Sequence, residues 1–281
     1  MTSLRTRVKN ALDEVRILVL GTQVLLGFAY RAFFEPRFER LPARDQGILF
    51  ASLCLLLAQM GLLLLPAARH RIVEGGRDSE ALHRFAMNCA FGALLPFAVV
   101  IGLDLVVAVS LTSGRTGLAL PIAVVAAALS LWYGIAVLRG PKPQREERIE
   151  EMKLEDKIVQ VLTEARVVLP GAQALVGFQL AITLMDAYEK LPQALIFLMA
   201  PAAYHRIVER GEDTERFHRF ASAMVLLALA ALPFGFALDL AVVVRKQTGS
   251  VADAGIAGAV AMAFFYGLWF VWMIVIRARS R

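Results

Sequence analysis

Two cysteines, four histidines and three tryptophans in 281 residues leave this chain poor in the side chains on which most site chemistry depends. Cys54 and Cys89 both fall inside apolar runs, where a free cysteine behaves as a small hydrophobe. That excludes a disulfide scaffold. Catalytic signatures are missing as well: there is no Ser/His/Asp order, no Walker glycine loop, no zinc-protease motif and no C-x-x-C pair. We therefore expect no enzyme, no metal and no cofactor. Charge is also scarce, at 19% against the roughly one quarter usual for soluble domains. An ordinary soluble fold is excluded.

What the chain has instead is apolar length. Hydrophobic residues make up 58% of it, gathered into runs at 15–34, 47–68, 85–111, 117–138, 220–244 and 255–276. Each approaches or exceeds the ~20 apolar residues that cross a bilayer core as a helix. The net charge of +6 fits basic loops on the cytoplasmic side of a membrane better than a nucleic-acid partner. The first sixteen residues are charged and hold no signal-peptide core, so the first span is expected to serve as an uncleaved anchor.

Comparison of the sequence with itself shows a duplication. Glu14, Arg16, Gly21, Gln23, Gly27 and Phe28 return as Glu164, Arg166, Gly171, Gln173, Gly177 and Phe178. Pro66-Ala-Ala-Arg-His70-Arg-Ile-Val-Glu74 returns as Pro201-Ala-Ala-Tyr-His205-Arg-Ile-Val-Glu209, and Leu103-Asp104-Leu105 as Leu238-Asp239-Leu240. The offset is 150 residues at Gly27/Gly177 (177 − 27) and 135 at His70/His205 (205 − 70). The second copy has thus lost 15 residues (150 − 135) around its second span. What remains there rises only about 20 Å as a helix, short of the ~30 Å core.

These features predict an all-α, polytopic transmembrane helical bundle of two parallel tandem repeats with about four spans each. Residues 1–140 form the first repeat, 141–158 a charged cytoplasmic linker, and 159–281 the second repeat with its shortened second span. Lys and Arg counts near the span ends put both termini in the cytoplasm of a bacterial inner membrane. An even number of spans per copy then relates the repeats by an axis along the membrane normal. The expected partners are the lipid bilayer, an inorganic ion or small solute, and further copies of the chain as a homo-oligomer; no nucleic acid is expected.

Arg16…Gln23…Gly27-Phe28 early in the first span and Pro66…His70-Arg71 closing the second resemble an uncharacterised bacterial family of small four-span membrane domains of unknown function. The resemblance covers each copy in turn, with the shortened span as its one departure. It implies a fold and brings no activity.

Three groups of residues are candidates for function, because ionisable and polar groups inside spans are costly. Arg16, Gln23 and Gly27, repeated as Arg166, Gln173 and Gly177, share one helical face at spacings of seven and four. That face either lines a polar path, or holds a snorkelling Arg16, a Gln23 bonded to a neighbouring helix, and a glycine that lets helices approach. Asp104 and Asp239, together with Glu35, sit toward the outer side, either as selectivity acids or as interfacial carboxylates pairing with Arg31. The loops carrying His70, Glu74 and His83, and His205, Glu209 and His218, hold all four histidines. They read as a pH-sensitive element, or as ordinary span ends in which Gly76 breaks the chain and Asp78-Ser79 cap the next helix. Trp132, Tyr133, Tyr266, Trp269 and Trp272 read as interfacial belt residues. Two functions fit: ion or small-solute permeation as a channel or secondary transporter, or a non-transporting scaffold or regulatory subunit that binds a partner through its cytoplasmic loops.

Overall fold

A computed structural model describes residues 4–113, 119–134 and 215–279. Among them every regular element is helical. In chain order these are α1 (Leu4–Ala32), α2 (Ala43–Ile72), α3 (Glu80–Ser113) and α4 (Ala119–Leu129), which runs on through a π turn at Ser130–Gly134. Then come α5 (Glu215–Thr248), α6 (Val251–Tyr266), a second π turn at Gly267–Val271, and α7 (Trp272–Arg279). Four stretches are long and apolar enough to cross a membrane: Ala43–Ile72, Glu80–Leu111, Arg219–Thr248 and Val251–Arg279. Ala119–Gly134 is a shorter apolar helix. Ile17 (72% exposed) and Ile122 (69%) belong to an outward apolar surface that suits lipid rather than water. The chain is an all-α membrane protein.

The helix starts and stops follow local chemistry. The first helix begins at Leu4, about three turns before the apolar run at 15–34. Val8 and Leu12 of α1 bury there with Leu82 of α3, which extends the helix beyond that run; α1 is not among the four membrane-length stretches. Pro36 prevents its continuation, and Phe33 and Phe38 close the turn with ring centroids 4.8 Å apart. Gln46 Nε2 ties this loop down by donating to the Phe38 and Leu41 carbonyls. At the other end of α2, Gly75 and Gly76 take φ of +62° and +82°, a left-handed geometry that other residues resist. Ser79 Oγ then accepts from the Leu82 N–H at 3.0 Å, the N-cap expected from the sequence.

Helix α2 is the centre of the molecule. It packs against α1 and α3 of its own repeat, and also against α5 and the π turn and α7 of the second repeat. Among the described residues, the contacts between the repeats include two hydrogen bonds. Trp269 is fully buried and its indole N–H donates to the Gly61 carbonyl at 2.8 Å. Toward the far end of α2, Arg71 Nη1 donates to Ser222 Oγ at 2.9 Å. The belt role expected for Trp269 is therefore corrected. It is an anchor between repeats, its indole N–H bonded to the Gly61 backbone, while Phe264 and Leu268 occupy the space that a side chain at 61 would need. Tyr133 and Tyr266 also turn inward, donating to the Phe91 and Ala230 carbonyls of the preceding long helix at 2.7 and 2.6 Å. Trp272, 43% exposed and edge-on to Phe85, keeps the expected lipid-facing character.

A buried polar stripe as candidate functional site

Among the described residues, seven that are polar or charged are buried: Thr22, Gln23, Asp45, Ser52, Gln59, His70 and Arg71. Five of them lie on α2. Asp45, Ser52 and Gln59 recur every seven residues, which returns each to nearly the same side of the helix. The 14 residues between the first and last rise about 21 Å, two thirds of a hydrocarbon core of ~30 Å.

Each rung meets another helix. The Ser110 hydroxyl on α3 lies 3.0 Å from Asp45 Oδ2 and 2.8 Å from the Val107 carbonyl, and shares one proton between them. Ser52 Oγ donates to Asp104 Oδ1 at 2.8 Å. Gln59 Nε2 donates to Thr22 Oγ1 on α1 at 2.9 Å, and Thr22 in turn donates to the Leu18 carbonyl at 2.8 Å. Among the described residues neither Asp45 nor Asp104 is paired with a basic side chain. Toward the N-terminal end of α2 the stripe thus carries acids held by hydroxyls, and further along it carries amides and a hydroxyl.

The amides are incompletely satisfied. Gln23 is fully buried, yet neither its Oε1 nor its Nε2 has a hydrogen-bond partner; Gln59 Oε1 and the Tyr30 hydroxyl share that condition. Leaving such a group unpaired costs on the order of 1–3 kcal/mol by mutational measures, and more where the surroundings are hydrocarbon. Tyr30 stands seven residues beyond Gln23 on α1, and the Asp239 carboxylate of α5 lies close enough to act on it electrostatically.

The residues singled out from sequence are dispersed by the fold. Gln23 and Gly27 are both buried on α1, whereas Arg16 is half-buried. Gln23 makes no bond to a neighbouring helix; its neighbour Thr22 does so instead. Arg31 pairs with Glu35 along its own chain at 2.9 Å, both being exposed, and Asp104 takes Ser52 as its partner. Glu35 and Asp104 thus take different partners, and Arg31 pairs with Glu35 rather than with Asp104. Asp239 is half-buried on α5. In the last turn of α2 His70 is buried, Arg69 pairs with Glu74 of the following loop at 3.3 Å, and Arg69 lies over the Phe85 ring. His83 is half-buried at the start of α3. His218 falls in the first turn of α5, while Arg166, Gln173, Gly177, His205, Glu209, the linker and the shortened span lie outside the described residues.

Sequence reasoning missed Thr22, Asp45, Ser52 and Gln59. A signal was present, since three polar residues seven apart in an otherwise apolar span define a stripe. The duplication adds to it. Leu41-Pro42 returns as Leu191-Pro192, so the loss falls between Pro42 and Pro66: 23 residues (43–65) against eight (193–200) in the second copy. Asp45, Ser52 and Gln59 all belong to that stretch. The second copy retains a counterpart of Gln23 and of Asp104, but has only Gln193 as a polar residue where the first copy has its stripe.

Together these elements define a polytopic helical membrane protein with a polar stripe buried along one central helix. The chain belongs to a family of unknown function, DUF6328, which it matches over residues 3–136 and again over 191–273, consistent with the tandem duplication. No curated protein and no solved structure matches it.

Proposed function

We propose that this protein is a permeation protein, a channel or secondary transporter rather than an enzyme, that passes a small cation along the stripe of α2. One observation carries the reading: Asp45, Ser52 and Gln59 lie buried on one face of a membrane helix, bonded in turn to α3, α3 and α1. Polar groups at membrane depth are expensive, and they tend to face a bundle interior or a solute path. Acids without basic partners at the outer rungs favour positive charge, and uncharged amides follow at the middle. Gln59 and Thr22 are fully buried, so the path is occluded in this conformation and passage requires an opening step. Basic residues flanking the spans support a bacterial cytoplasmic membrane with both termini inside.

The same occlusion favours a second reading. Interhelical hydrogen bonds and a glycine contact are also how membrane helices are held together, and a non-transporting scaffold needs nothing more. Flux separates the two. The purified chain in liposomes, with an imposed potential and dyes for protons, potassium and sodium, should show cation entry that Asp104→Asn lowers at least tenfold and Asp239→Asn lowers less. Circular dichroism confirms that the variants fold. Absence of flux from the wild type, or flux indifferent to Asp104→Asn, would remove the permeation reading.

A further inference from the structure

We propose that the level of Gln23 and Gln59, near the middle of the membrane, is a binding site for water, one per chain. The inference deepens the permeation reading, because a hydrated level is where a cation would keep part of its solvation. It rests on that reading for its purpose but on separate observations for its existence. Three atoms are unclaimed there: Gln23 Oε1, Gln23 Nε2 and Gln59 Oε1. Gln59 is held in place by its bond to Thr22, the residue beside Gln23, and all three residues are fully buried. The unclaimed set holds both donors and acceptors and no charge, which is the chemistry water satisfies. A buried water makes roughly three hydrogen bonds and is the usual partner of such groups. The neighbouring apolar residues on the same helices, Val19 and Leu26 on α1 and Met60 beside Gln59, are also fully buried and offer these amides no polar partner. There is one such level per chain because the stretch that supplies Gln59 is absent from the second copy.

Met60 provides a built-in reporter, since its thioether is oxidised by hydroxyl radicals formed from nearby water. Pulsed radiolysis of the full chain in lipid nanodiscs, read by mass spectrometry, compares it with Met273, which is also fully buried. Met60 should be oxidised at least tenfold faster than Met273, and Gln59→Leu or Gln23→Leu should bring it down to the Met273 rate. Equal rates for the two methionines in the wild type overturn the proposal. So does fast Met60 oxidation that persists in both glutamine variants. Fast, glutamine-dependent oxidation without any cation flux in liposomes keeps the water site and sinks the permeation reading; flux with a dry Met60 does the reverse.

Discussion

The contact between Trp269 and Gly61 joins the two repeats, and it can be tested from both sides. Trp269→Phe keeps an aromatic ring among Phe236 and Phe265, whose centroids lie 6.5 and 5.0 Å away, but removes the N–H that reaches the Gly61 carbonyl. The hydrogen bond alone is worth about 0.6 kcal/mol by the average for membrane helices, with a ceiling of about 1.7. Loss of the indole's second ring adds a packing defect, and the combined cost is about 1–3 kcal/mol. Gly61→Ala perturbs the same place by addition. A Cβ there would stand 2.9 Å from Phe264 Cε1 and 3.2 Å from Leu268 Cδ2. Phe264 is 43% exposed and its ring can swing toward lipid, so the overpacking should fall at the lower end of its usual range, about 1 kcal/mol. The two changes act on one contact and should not add: a double-mutant cycle is expected to show a coupling of about 0.5 kcal/mol or more. Unfolding of the full chain in mixed detergent, followed by far-ultraviolet circular dichroism, measures all four proteins. Strict additivity, or a stabilising Gly61→Ala, would refute the idea that the repeats meet at this glycine.

Two further outcomes are expected. Gly102→Ala should destabilise the first repeat by about 1–3 kcal/mol, because a Cβ at Gly102 collides with Val125 Cγ2 and forces α3 away from α4; the same detergent titration reads it. Gln23→Leu should abolish liposome flux while Gln173→Leu leaves most of it, since only the first copy has the Asp45, Ser52 and Gln59 rungs; equal losses would mean that both copies supply a path.

The membrane class, the duplication and the seats of the long helices were legible in the sequence for one physical reason. Hydrocarbon demands about 20 apolar residues per span and leaves no backbone unpaired, so a run of that length admits essentially one structure. One cap was legible too: Ser79 is read from its type and place, and the structure has it at the N-cap. Where the sequence was ambiguous, the ambiguity concerned direction. Trp269 and Trp272 lie three residues apart and look alike as belt aromatics, yet the first is buried against Gly61 and the second faces lipid beside Phe85. Gln23 and Thr22 are neighbours, and helical spacing alone did not tell which would meet Gln59.

The apolar spans and their copying are thus properties of the chain by itself, since solvent transfer acts on each residue whatever its neighbours are. Partnership is not. That Asp104 meets Ser52, that Asp45 meets Ser110, and that α2 rather than α1 carries the polar stripe depend on which faces of three helices are brought within 3 Å of one another. Only the packed tertiary structure makes that choice, because a hydrogen bond is short and directional whereas burial is neither.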